Sequence, residues 1–258
     1  MSTPVAVVTG ASRGIGKRLC IDLATAGFDI VCAARTSQAA PGKLPGTVEA
    51  TAEAVTRAGR RAMAVALDVQ DEAGVAALAT RLYDEWGRCD VLINNAAIAP
   101  PRPALADAVK RWRLAVDVNL NGPFYLMYHL CPRMAAAGGG RVVNVSSGAA
   151  VTPSFGRPSY TATKLALEGL TQALGHELAG RVAVNCIRID MPIWTEGFDA
   201  TLPADFDTSF FEDPVIMSDA VLWLLRQPLD YTAQVLTLDE LRGKGIVRPP
   251  TRAARAPA

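Results

Sequence analysis

Val5-Ala6-Val7-Val8-Thr9-Gly10-Ala11-Ser12-Arg13-Gly14-Ile15-Gly16 runs from an apolar stretch through three glycines into a helical pattern. The run from Val5 to Val8 is short, unbroken and valine-rich, as a strand covered on both faces should be. After it, Gly10 allows a tight turn, Gly14 lets backbone approach a phosphate, and Gly16 lets helix and strand pack closely. A helix starting there presents unpaired N–H groups and the positive end of its dipole to an anion. Glycines at this spacing, directly after a first strand, predict a dinucleotide-binding turn that includes Ser12, Arg13 and Ile15.

Outward from this turn the chain keeps alternating. Short runs rich in valine or isoleucine predict strands at 5–8, 29–33, 62–67, 91–93, 141–145, 182–187 and 234–238. Longer apolar periodicities predict helices at 15–26, 48–58, 72–86, 105–137, 160–178 and 214–226. The alternation implies right-handed crossovers and a single-domain, doubly wound parallel sheet of about seven strands in the α/β class. One domain over 1–245 is expected, with a lid near 189–213, a surface loop at 37–46 and a flexible tail at 246–258.

Composition narrows the function. Lysine and arginine number 26 against 25 acidic residues, a net charge of +1 that offers no basic field to nucleic acid or an anionic membrane. The five cysteines form no CxxC pair, which fits reduced thiols. The first strand leaves no room for a leader, and no apolar run reaches the roughly 18–20 residues of a membrane span. A soluble, cytoplasmic protein is expected. His129 and His176, the two histidines, form no cluster with metal-ligand spacing, so no metal is expected.

In such a sheet, ligands bind beyond the carboxyl ends of the strands. The second strand ends in Ala34-Arg35-Thr36, without the acid that would hold the ribose hydroxyls of NAD(H). Arg35 and Arg13 can instead pair with a 2′-phosphate, which favours NADP(H) over NAD(H). Asp68-Val69, after the third strand, falls where adenine would lie, although Asp68 could equally cap the next helix. Asn95-Ala96 follows the fourth strand.

Tyr160 and Lys164, four apart, share a helical face. Ser147 closes the fifth strand thirteen residues before Tyr160, with Ser146 as the alternative serine, and Asn119 places an amide in an apolar stretch. Taken with the glycine turn, this set resembles the short-chain dehydrogenase/reductase family from Thr9 to about Leu238. The resemblance implies that Ser147, Tyr160 and Lys164 are catalytic and that Asn119 completes a proton relay by holding a water near Lys164. A phenol titrating near pH ~10 is a poor acid or base at neutrality, so a neighbouring ammonium is expected to lower its pKa. Ser147 would stabilise the developing oxyanion.

The pattern departs from the family in three places. Asn94-Asn95-Ala96-Ala97 ends in alanine where glycine is usual; Ile189-Asp190 replaces Pro-Gly; and Leu238-Asp239-Glu240-Leu241 replaces Asp-Gly-Gly. Ile193 and Thr195 resemble the family's cofactor contacts, one residue displaced. Phe155, Met191, Trp194, Phe198, Phe206, Phe210 and Phe211 form either an apolar substrate wall, to which Phe155, Met191, Trp194 and Phe198 contribute beside Ser147 and Tyr160, or lid packing. The expected reaction is hydride transfer between NADP(H) and an apolar ketone or secondary alcohol. Imine or enoyl reduction, epimerisation, and a non-catalytic sensor or scaffold are the alternatives. Resemblance further implies a homotetramer, with a dimer next.

Overall fold

The computed structural model describes residues 3–99, 105, 108–153, 156–203 and 205–251. Seven strands, β1 (Val5–Thr9), β2 (Asp29–Ala34), β3 (Ala62–Ala66), β4 (Val91–Asn94), β5 (Gly140–Ser147), β6 (Val182–Ile189) and β7 (Val235–Thr237), form one sheet in the order β3-β2-β1-β4-β5-β6-β7. Every pairing is parallel. The chain winds one way from β1 to β3 and the other way from β4 to β7. The reversal opens a crevice between the carboxyl ends of β1 and β4, where a doubly wound sheet takes its ligand.

The strands are apolar because both faces are covered. On one face, α1 (Gly14–Thr25), α2 (Val48–Arg57) and α8 (Val215–Leu224) pack Leu19, Leu23, Val55, Ile216 and Val221 against the sheet. On the other, α3 (Glu72–Trp86), α5 (Gly122–Ala136) and α6 (Pro158–Glu177) contribute Leu78, Leu82, Leu126, Leu130 and Leu170. All five cysteines are buried free thiols. Among the described residues no helix is long and apolar enough to cross a membrane.

Three expectations are corrected. The helix read over 105–137 begins, among the described residues, at α4 (Val109–Val116) and widens into a π-turn at Asp117–Asn121 before α5. Side-chain bonding by Asn119, described below, accounts for a widening that apolar periodicity cannot reveal. The last strand stops at Thr237 rather than 238. There Thr237 Oγ1 accepts from Glu240 N and the Glu240 carboxylate accepts from Thr237 N, a capping box that starts α9 (Leu238–Gly243). Finally, the segment read as a tail is packed up to residue 251. Val247 is 2% exposed, Arg248 pairs with Asp219 at 2.7 Å, and Asp213 N donates to Thr251 O at 2.9 Å. Arg252 and Arg255 lie outside the described residues. A short helix, α7 (Glu196–Asp199), was not anticipated.

A buried ionic clamp fixes the end of β5 against α6 and β6. Glu168 accepts from Ser146 Oγ at 2.7 Å and from Arg188 Nε and Nη2 at 2.9 and 2.7 Å. Ser146 and Arg188 are register partners on adjacent strands. Removing one partner of a buried pair leaves an uncompensated charge. Arg188→Met is therefore expected to cost about 3–5 kcal/mol in urea unfolding, and Glu168→Gln beside it should restore much of the loss. A single mutant with the wild-type midpoint would show that the clamp contributes nothing.

Candidate active site

The crevice is knitted by Thr9 and Asn95. Thr9 Oγ1 donates to Ile93 O at 3.2 Å and accepts from Asn95 N and Ala96 N at 3.0 and 3.1 Å, while Asn95 Nδ2 donates to Thr9 O at 2.8 Å. The glycine turn rises from this knot. Gly14 sits at φ +56°, a left-handed conformation that other residues rarely adopt, and a methyl group at Gly16 would run into the Gly10 carbonyl oxygen. Backbone is thereby brought close to whatever occupies the turn.

Two adjoining clefts line the carboxyl edge. The smaller, of about 250 Å³, is walled by Gly10, Ser12, Arg13, Arg35, Thr36, Asp68, Val69, Asn95 and Ala96. The larger, of about 880 Å³, runs from Arg13, Gly14, Ile15 and Gly16 past Ser147, Tyr160 and Lys164 to Met191, Ile193, Thr195 and Phe198. Every residue expected at a dinucleotide lies in one or the other. A site split this way, with a glycine-built phosphate seat between its halves, has the shape and donors for a nicotinamide dinucleotide.

Several details differ from the sequence reading. Arg13 is engaged: its guanidinium donates to Pro45 O at 3.0 Å and Leu44 O at 3.1 Å, pinning the 37–46 loop over the turn. Arg35 is exposed, walls the smaller cleft and has no partner among the described residues. Asp68 caps no helix. Its carboxylate accepts from Gln70 N at 3.1 Å and Gln70 Nε2 at 3.0 Å, while Asp71 stands at the N-cap of α3.

Asn119 does not line the cleft. Its Oδ1 accepts from Ile98 N at 2.9 Å, and its Nδ2 donates to Ile98 O at 2.9 Å and Thr163 Oγ1 at 3.1 Å. With both amide protons placed, the side chain ties the segment after β4 to α6. It has no donor left for the relay water expected of it.

Ser147 and Tyr160 sit close enough for the serine hydroxyl to favour the phenolate. Lys164 is fully enclosed, donates to Val145 O at 2.7 Å and has its Nζ 5.7 Å from the Tyr160 ring. Burial lowers the Lys164 pKa to about 8, opposed by Cys186 and Glu168. Burial raises that of Tyr160, opposed by the Ser147 hydroxyl and the Arg157 charge. Two cations therefore stand near the tyrosine, Arg157 before it on the chain and Lys164 beside its ring.

The supposed aromatic wall is mostly lid packing. Phe198 stacks on Phe211 at 5.2 Å, and Phe210 meets Phe211 at 4.9 Å. Of the seven residues named from sequence, Met191 and Phe198 line the larger cleft, Trp194 does not, and Phe155 lies outside the described residues. The lid is held by Glu212, which exchanges backbone bonds with Trp194 and Pro192 at 2.9 Å each. Ile189 and Asp190 wall the cleft where Pro-Gly was expected, Ile189 as the last residue of β6. Residues missed from sequence include Arg111, Leu114, Arg157 and Glu196. No motif carries them; their positions come from the fold.

The family pattern described as short chain dehydrogenase matches residues 4–195. The chain belongs to the short-chain dehydrogenase family. Hydroxysteroid dehydrogenase-like protein 2 of Xenopus tropicalis is 31% identical over 237 residues, covering 91% of this chain and 56% of that protein. The chain thus spans little more than half the length of that relative. Cis-4-hydroxycyclohexanecarboxylate dehydrogenase of Sinomonas cyclohexanicum is 36% identical over 206 residues, 78% of this chain and 77% of its own. A solved structure from Beutenbergia cavernae, assigned as an NAD(P)-dependent gluconate 5-dehydrogenase and holding NADP at low occupancy, superposes with a TM-score of 0.79. It is 30% identical, with 93% of this chain and 97% of that one covered.

In this short-chain dehydrogenase the phosphate seat holds an anion of its own. Glu196 Oε2 accepts from Gly14 N at 2.9 Å, and Thr195 packs against Gly14. A diphosphate entering the turn has to displace that carboxylate. Glu196→Gln is expected to tighten NADPH and NADH binding alike, by about two- to fivefold for a helix N-terminus contact of ~0.5–1 kcal/mol. Calorimetric affinities equal to wild type would show that Glu196 does not compete.

Lys164 makes a second, pH-linked prediction. Its folded pKa lies below its unfolded value, so the unfolded chain binds the extra proton between the two. The burial penalty is fully present below about pH 8 and is relieved as pH rises toward the ordinary lysine value. Wild type should therefore gain stability relative to Lys164→Met between pH 8 and 10, by roughly 3 kcal/mol at most. A pH-independent difference would contradict the buried-ammonium assignment.

Proposed function

We propose that this protein is an NADP(H)-dependent oxidoreductase that interconverts a ketone and a secondary alcohol. The observation that carries the reading is the presence of Ser147, Tyr160 and Lys164 in one cleft continuous with the glycine turn. When bound, the nicotinamide supplies or accepts the hydride. Tyr160 donates its proton to the carbonyl oxygen during reduction, and its raised pKa keeps the phenol in the acid form at neutral pH. Ser147 donates a second hydrogen bond to the same oxygen as it gains charge. Lys164 returns a proton toward Tyr160 along α6, with Val145 O holding its ammonium in place. Met191, Leu114 and Phe198 receive the apolar body of the substrate.

Arg35 supports the phosphate-bearing cofactor. It is a cation without a partner at the adenosine end, and no acid stands beside it at the close of β2 to take the ribose hydroxyls. Self-association is supported by apolar side chains left open on α4–α6, including Trp112 at 44% and Tyr128 at 62% exposure. A cytoplasmic homotetramer, or else a dimer, completes the reading.

The test is cofactor consumption with a ketone panel. Wild type should use NADPH in preference to NADH, and Arg35→Ala should narrow that preference by about 10- to 100-fold, the worth of a charge-assisted phosphate contact. Tyr160→Phe should bind NADPH normally and lose nearly all turnover. Turnover at the wild-type rate in that variant would overturn the mechanism.

A further inference from the structure

We propose that Arg157 receives a carboxylate on the substrate, making the physiological pair a keto acid and its hydroxy acid rather than a neutral ketone and alcohol. This rests on the hydride-transfer reading above. Arg157 stands three residues before Tyr160, at the N-cap of α6, and walls the larger cleft. Its guanidinium lies 6.0 Å from the centre of the Phe198 ring, and no carboxylate pairs with it among the described residues. It is close enough to Tyr160 for its charge to favour the phenolate.

That isolation is informative because other half-buried arginines on the body find oxygen. Arg18 pairs with Asp22, Arg188 with Glu168, Arg242 with Glu212, and Arg13 takes loop carbonyls. A partly desolvated cation without a counter-charge is costly unless a ligand brings one. A cation–π contact at 6.0 Å uses none of the guanidinium N–H donors, which can still serve bidentate carboxylate recognition.

Charge balance in the cleft agrees. Of its wall residues among those described only Asp190 is acidic, its Oδ1 accepting from Asp239 N at 3.4 Å, and the Glu196 carboxylate that reaches the cleft is already bound to Gly14 N at 2.9 Å. Arg111 joins Arg157 on the wall of the same cleft. The chemistry leaves the carboxylate unchanged: the carbonyl carbon gains hydride, its oxygen gains the Tyr160 proton, and the nicotinamide is the two-electron donor. Arg157 and Tyr160 wall the same cleft, and the Arg157 charge reaches the phenol. A carboxylate beside Arg157 therefore leaves the carbonyl of the same small molecule within reach of Tyr160.

The experiment pairs keto acids with their methyl esters: 2-oxobutanoate, 4-oxopentanoate and 4-acetylbenzoate, with NADPH, in wild type and Arg157→Gln. At least one acid should exceed its ester by tenfold or more in kcat/KM. Arg157→Gln should erase that preference, its loss on the acid exceeding its loss on the ester by tenfold or more, since a site built for a polar group discriminates through that group. Esters equal to or better than every acid, or an equal loss on both in the variant, would overturn the proposal. If no ketone consumes NADPH, the hydride-transfer reading fails by itself, and benzoate binding to the NADP⁺-saturated protein decides this one. Calorimetric binding that Arg157→Gln abolishes supports it, whereas binding the variant leaves unchanged, or no binding to wild type, overturns it.

Discussion

Thr9 and Asn95 meet where the sheet reverses direction, and four hydrogen bonds between the ends of β1 and β4 hold that junction. Every other part of the site takes its position from it. The glycine turn leaves β1 directly above the knot, and the packing of Gly16 on Gly10 aims the first helix at the crevice. A sheet that reverses there must expose its strand ends to one shared hollow. Residues from distant parts of the chain consequently face one another across it, with Gly14 and Glu196 the clearest example.

The catalytic wall depends on a second constraint, the burial of charge beneath it. Lys164 sits in the interior with one backbone acceptor, and the Ser146–Glu168–Arg188 clamp lies beside it on the same strand ends. Desolvation drives the lysine toward its neutral form, and the carboxylate of Glu168 resists. Tyr160 is pulled the other way, its phenolate penalised by burial and favoured by Ser147 and Arg157. The two shifts run in opposite directions: burial holds the proton on Tyr160 and weakens the hold of Lys164 on its own.

The sheet was legible because its strands are buried on both faces and therefore read as unbroken apolar runs, as in Asp29–Ala34. Ser147, Tyr160 and Lys164 were legible as a set only through the family resemblance, because taken singly each reads as an ordinary strand-end or helix residue. What side chains bond to was not. Nothing in the sequence shows that the 37–46 loop folds over the Arg13 guanidinium, or that the Asn119 amide bonds Ile98 and Thr163. The phenylalanines of the lid look like a substrate wall, but their rings chiefly satisfy one another. Arg157 went unread because nothing in the sequence distinguishes an arginine without a counter-ion from one that has one.

If this cleft passes a hydride to a carbonyl carbon while Tyr160 supplies the proton, a label on the cofactor should follow the hydride. Stereospecifically deuterated NADPH, [4-²H], tests it most directly, with product analysed by mass spectrometry and the rate compared with unlabelled cofactor. Deuterium is expected at the carbinol carbon for one of the two cofactor faces and none for the other. Binding of the labelled cofactor with no deuterium transferred to any carbonyl substrate, or deuterium found at an olefinic or imine-derived carbon instead, would contradict it.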